Sequence, residues 1–319
     1  MNKSSNNEQI SKESFLERIA RMYYVLGMNQ QEISDRLNIG RSSVARFLNE
    51  ARERRIVEFQ IRSDADNVRY SSLERELELK HGLKDCVVIR GGDGSQHSFE
   101  RAASQYLNSI LPTHGAIGLG WGRTLYSVGT QMYLCDPRPG LKLVQLSGGS
   151  GAKEELVPAA SVIQAWAQGL RGKPYLFPAP AVAQTRESKD GFLADPSIRE
   201  MMGYIGEVSA AVVGIGHTGE DATIISSDLA HGLDSATLTK YSVGDVIFHF
   251  YNERGEFSFP ALSERIVGAS PDDFMRIELR VGIAYGLNKT KAILGALRGK
   301  LVHVLITTEE TALSLLGKT

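Results

Sequence analysis

The chain has 319 residues, 42% hydrophobic and 23% charged, with a net charge of −1 and two cysteines. That length suits one small and one ordinary domain of a globular protein. Cys86 and Cys135 form neither a metal-ligand spacing nor a disulfide framework, and no apolar run reaches the length of a membrane span. The polar first 15 residues lack the apolar stretch of a signal peptide, so a cytoplasmic protein with an unstructured tip of roughly ten residues is expected.

Phe15, Leu16, Ile19, Ala20, Tyr23 and Tyr24 repeat at helical spacing, and Gly27 ends the pattern. Asn29 and Glu32 then make a capping box for a second helix, whose stripe is Ile33 and Leu37. Asn38-Ile39-Gly40 reads as a tight turn in which Gly40 is free to take angles closed to other residues. A third helix is expected from about Arg41 to Arg54, with Val44, Phe47, Leu48 and Ala51 inward. Its outer face carries Arg41, Ser42, Ser43 and Arg46 at the end where a recognition helix meets base edges. With Gln30, these are the candidate contacts to double-stranded DNA. An ordinary helix pair with a solvated polar face is the alternative; cap, turn, spacing and Arg/Ser face together favour DNA. Charge agrees: residues 1–62 hold 11 Lys and Arg against 8 Asp and Glu, and the rest hold 25 against 29. Ile56–Ile61 alternates like a half-buried strand.

Ser63–Asn67 is a polar break, followed over 68–80 by a helical pattern through Leu73, Leu77 and Leu79. This is either a linker helix or a dimer contact. The domains expected are therefore a helix-turn-helix over 1–62, a linker helix over 63–84 and a third domain over 85–319.

That third domain alternates strands and helices, the pattern of an α/β fold with a mainly parallel sheet. The expected strands are Cys86–Ile89, Ala116–Leu119, Lys142–Leu146, Ala210–Ile215, Val281–Ala284 and Val302–Thr307. Helices are expected at 98–110, 124–134, 159–168, 196–206, 289–298 and 309–316. Ligands of such sheets bind beyond the carboxyl ends of the strands, where the glycines cluster. Gly118–Thr124, Ser147–Gly151, Gly214–Gly219 and Gly286–Lys289 each follow a strand, and Arg123 and Lys289 add positive charge. The combination predicts a site for a phosphorylated or polyhydroxylated small molecule. Among Asp221, Asp228, Asp234 and Asp245, the last is the favoured sugar-hydroxyl acceptor, because it follows Gly244 beside an apolar run.

Gly214-Ile-Gly-His-Thr-Gly219 matches a dinucleotide fingerprint, but the polar and then strand-like Glu220–Ser227 follows instead of the required helix. No cofactor is expected. The seven histidines contain no H-x-x-x-H pair, so no metal is expected either. There is no nucleophile elbow and no phosphate loop of the G-x-x-x-x-G-K-[ST] type.

The segments Ile19–Gly27, Gln30–Arg46, Gly118–Thr124, Gln145–Gly149, Val212–Gly216, Val243–Asp245, Lys291–Gly299, Val304–Thr307 and Glu310–Ala312 together resemble the SorC family of sugar-responsive transcriptional regulators. The resemblance runs nearly the whole chain. It implies a helix-turn-helix domain plus a Rossmann-like α/β effector domain related to sugar-phosphate isomerases and CoA transferases. It also implies a homo-oligomer, dimer or tetramer, controlling a sugar or polyol catabolic operon. Carried over by position, it implies effector contacts from Gly120, Trp121, Gly122, Arg123, Thr124, Gly148, Gly149, Asp245 and Lys289. Tyr285 and His217 depart from the family pattern, and Tyr285 is expected to narrow the site or stack on a sugar ring. The alternatives are a sugar-phosphate isomerase with a DNA-binding head, disfavoured for want of an acid/base pair, and a module whose head binds protein, disfavoured by the Arg/Ser face.

Overall fold

A computed structural model describes residues 3–57, 62–63, 67–90, 96–149, 157–219 and 235–318. Positions 58–61 of the alternating segment and the carboxylates Asp221, Asp228 and Asp234 lie outside these residues. The chain divides into two compact units, residues 1–60 and 61–319.

The small unit is three-helical. Helix α1 (Lys3–Ala20) runs into a π-helical turn (Arg21–Val25), followed by α2 (Gln30–Leu37) and α3 (Arg41–Glu53). The helix reaches back to Lys3, where composition suggested an unstructured tip. Once its packed half is nucleated, each added residue gains one backbone bond. The capping box forms: the Asn29 side chain accepts from the amides of Gln31 and Glu32 at 2.9 and 3.0 Å, and the Asn29 amide donates to Glu32 at 2.7 Å. The turn differs from expectation. Asn38 takes the left-handed conformation at φ 49°, whereas Gly40 is extended at φ −66° and caps α3. Asparagine tolerates that region because its short polar side chain bonds locally. Leu16, Ile19, Ile33, Val44, Leu48 and Ala51 are buried, and Phe15 meets Phe47 edge-on at 5.5 Å.

The large unit is built on seven strands: β1 (Asp85–Ile89), β2 (Gly115–Leu119), β3 (Leu141–Gln145), β4 (Lys173–Tyr175), β5 (Val208–Gly214), β6 (Leu279–Ile283) and β7 (Val304–Thr308). Their order is β1-β7-β6-β5-β2-β3-β4, and all pairs are parallel. Both faces are covered. Along β1, Cys86 and Val88 enter one core while Val87 and Ile89 enter the other, the alternation a pleated strand imposes. Six of the seven strands coincide with the expected segments to within two residues. The exception, β4, is a three-residue edge strand containing Pro174, where a missing ladder donor is tolerated.

The helix Ser71–His81 buries Leu73 and Leu77 in one of these cores and leaves only Leu79 of its leucines exposed. Those two leucines are therefore unavailable for the dimer contact that the pattern also allowed. A small antiparallel sheet, Gly216–His217, Gly244–Val246 and His249–Tyr251, lies just beyond β5 in the chain.

Candidate functional site

Strand order reverses between β2 and β5. From β2 the chain winds outward through β3 and β4; from β5 it winds the other way through β6 and β7. The loops leaving such a pair of strands diverge and open a crevice at the carboxyl end of the sheet. A cavity of about 200 Å³ occupies that place. Its walls are Gly120–Leu125 after β2, Gly214–His217 after β5, Asn288 and Lys289 after β6, and Asp245 and Ile247 from the small sheet.

Two glycines set the cations. Gly122 at φ 123° and Gly286 at φ 107° take angles unfavourable to other residues, immediately before Arg123 and the Leu287–Lys289 turn. Arg123 is exposed and Lys289 half-buried. Burial pulls the Lys289 amine below its ordinary value; nearby Asp245 opposes this and Arg123 adds to it.

Asp245 is 5% exposed. One carboxylate oxygen accepts the Phe248 amide at 3.3 Å. The other rests against Gly216 so closely that a Cβ there would stand 1.9 Å from it. Burial pushes this carboxyl up to about 6, with the Phe248 amide and Lys289 pulling it back down.

Asp245 caps an unusual turn. Val246 pairs with His249, leaving Ile247 and Phe248 as a two-residue hairpin at φ 44° and 70°. Two-residue hairpins of this hand favour Asn-Gly. An isoleucine and a phenylalanine there store strain of about 1–3 kcal/mol each. The surroundings hold them: Phe248 stacks face to face on Trp121, with centroids 4.8 Å apart.

Of the predicted ligand contacts, Gly120–Thr124, Asp245 and Lys289 come together at this cavity. Gly148 and Gly149 do not. Their amides donate to the carbonyls of Val267 and Ala179, both at 2.8 Å, and are spent on holding loops. A Cβ at Gly148 would also stand 2.4 Å from the Pro180 backbone. Tyr285 lies outside the lining, beside Thr124 and Arg123, and its ring packs on Phe99 at 4.5 Å. Within the dinucleotide-like motif, Gly216 and His217 pair with Asp245 and Gly244 as a strand, which is not the helix start a pyrophosphate needs.

Sequence reasoning missed Ile247, Asn288 and the role of Gly216, and noted His217 only as a departure. His217 Nε2 approaches Asn288 Nδ2 at 3.4 Å, joining the β5 and β6 walls. Only the adjacency of β5 and β6 brings these two together, and no local pattern marks it.

On the small unit Arg41, Ser42 and Arg46 are exposed, and Gln30 and Ser43 are half-buried. The Arg46 guanidinium lies 5.2 Å from the Phe47 ring centroid. Among the described residues, no group of three or more His, Cys, Asp or Glu is placed to hold a metal ion, and no helix is long and apolar enough to cross a membrane.

A helix-turn-helix joined to an α/β body, with two cations and a carboxylate around a switch-point cavity, is the makeup of a ligand-responsive DNA-binding regulator. Residues 66–317 match the family described as "Putative sugar-binding domain". The deoxyribonucleoside regulator of Bacillus subtilis (strain 168) is 27% identical over 302 residues, 93% of this chain and 96% of that one. The sorbitol operon regulator of Klebsiella pneumoniae is 26% identical over 301 residues, 92% of this chain and 95% of that one. The crystal structure of the full-length sorbitol operon regulator SorC from Klebsiella pneumoniae superposes with a TM-score of 0.70 at 26% identity, covering 95% of this chain and 98% of that one.

The chain belongs to the SorC family of sugar-responsive transcriptional regulators. It is a regulator and not an enzyme, for these relatives and the superposed structure are transcriptional regulators.

Proposed function

We propose that the switch-point cavity is the effector site and that its occupant sets the affinity of residues 1–62 for an operator. The effector is a sugar, polyol or sugar phosphate held by Gly120, Trp121, Gly122, Arg123, Thr124, Asp245 and Lys289. The observation that carries this is the convergence of Arg123, Lys289 and Asp245 on one crevice from three separate segments of the chain. An arginine fork and an ammonium suit an anion, and a buried carboxylate suits hydroxyls. Gln30, Arg41, Ser42, Ser43 and Arg46 make the DNA contacts, in the bacterial cytoplasm, upstream of a sugar or polyol catabolic operon. One helix-turn-helix makes few contacts, so the working form is a homo-oligomer on a two-fold operator.

The test is a gel-shift titration in which sugar phosphates and polyols are screened for a change in operator affinity. In the Arg123→Ala/Lys289→Ala double variant, a compound that moves the wild type should have no effect, while operator affinity without ligand is unchanged. A full response by the double variant refutes the site. A wild type that responds only to an unphosphorylated polyol, with Arg123 still required, keeps the cavity but removes the phosphate preference.

A further inference from the structure

Trp121 stands between two different surroundings. Phe248 lies flat against it, the two planes only 8° from parallel. The cavity is lined by Trp121 but not by Phe248. Stacking of this kind consumes one face of the indole and leaves the cavity the other face or the edge. Phe248 is 1% exposed and sits in a cluster with Leu238, Phe250 and Leu262. It is backing for the indole and has no surface of its own to offer.

The backing is fixed. Phe248 occupies the left-handed hairpin, and its amide is held by the Asp245 carboxylate. Ile247, beside it, faces the cavity. The cavity therefore sets the apolar side chains of Trp121 and Ile247 beside the polar groups Asp245, Lys289 and Arg123.

A sugar ring matches that division. Its axial C–H groups form a flat apolar face, and its hydroxyls radiate from the rim toward a carboxylate and cations. An acyclic polyol has no flat face. To imitate one it must freeze several torsions, and each frozen torsion lowers affinity. We propose that the Trp121 wall, backed by Phe248, selects the ring form of a sugar or sugar phosphate over an acyclic polyol of the same carbon count. This rests on the cavity being the effector site, and it narrows the ligand class within that reading.

The experiment uses the full chain and matched pairs of ligands. Each pair joins a methyl glycoside phosphate, locked as a ring, to the alditol phosphate of the same parent sugar, locked open, in pentose and hexose series. Affinities are measured by calorimetry and by tryptophan emission. In at least one pair the ring member should bind roughly tenfold more tightly and change the Trp121 emission. Phe248→Leu keeps apolar bulk but removes the flat backing; the ratio should fall to within roughly threefold of unity through loss of ring binding alone. If that variant does not fold, Trp121→Leu leaves the hairpin in place and is read the same way.

Equal or tighter binding of the alditols overturns the proposal, as does a ring-to-open ratio that these variants leave unchanged. The cavity reading fails separately. If pairs bind but Arg123→Ala alters neither member, the ligands lie elsewhere. If no pair binds a wild type that still binds DNA, both readings fall.

Discussion

Replacing Asp245 with asparagine should stabilise the protein at neutral pH and change little in acid. The carboxyl is 5% exposed and is pushed up to about 6 from an ordinary 3.8, chiefly by burial. The folded chain therefore holds this proton more tightly than the unfolded chain. The favourable contribution of the protonated group is complete below 3.8 and is lost as pH rises through 6. With each pKa unit worth about 1.4 kcal/mol, the whole loss is about 3 kcal/mol. About 2 kcal/mol of it falls between roughly pH 4.5 and pH 7.5. Asparagine does not ionise, so the stability difference between variant and wild type should widen by that amount over the interval. His249 and His303, both lowered to about 4 chiefly by burial, titrate alike in the two proteins and cancel. Urea unfolding followed by emission of the fully buried Trp166 gives the difference at each pH. A gap that stays constant over the range would show that Asp245 ionises as freely folded as unfolded. A gap that widens means that this carboxylate is kept at a stability cost, the pattern of a group kept for ligand binding.

Three further substitutions probe other parts of the structure. Arg46→Ala should weaken operator binding by about 1–3 kcal/mol if the side chain reads a base, with ligand binding untouched; unchanged affinity at fixed salt would count against the residue. Gly216→Ala places a Cβ 1.9 Å from an Asp245 oxygen. Displacing that carboxylate should cost about 1–3 kcal/mol, seen as a melting temperature lowered by several degrees, and should weaken ligand binding. Gly129→Ala places a Cβ 2.4 Å from the buried Trp166 ring, whose indole N–H donates to the Leu125 carbonyl at 2.8 Å. A loss of about 1–3 kcal/mol with red-shifted emission is expected; normal stability and emission would mean that the ring has room to move.

The sequence by itself determined the elements whose stabilising interactions are local or periodic. Asn29 and Glu32 satisfy backbone donors within three residues of themselves, so the start of α2 could be read directly. Strands β1, β2, β3, β5, β6 and β7 are largely buried on both faces and show as short, mainly apolar runs. Local pattern failed at a turn where two residues could each go left-handed: Asn38 does so, its amide donating to the Ser34 carbonyl, while Gly40 stays extended. Only tertiary structure sorted the glycine loops. Placing β2 beside β5 and β5 beside β6 turns the loops after these strands into one crevice. The loop after β3, equally glycine-rich, is drawn aside because Gly148 and Gly149 pair with the backbone at Val267 and Ala179. The hairpin at Ile247 and Phe248 shows the same limit most sharply. Its residues contradict turn preference, and it is held by an aromatic stack on Trp121, over a hundred positions away in the chain. Short-range pattern encodes hydrogen bonds and periodic burial, whereas a binding site is made by side chains whose proximity depends on strand order, which no local window contains.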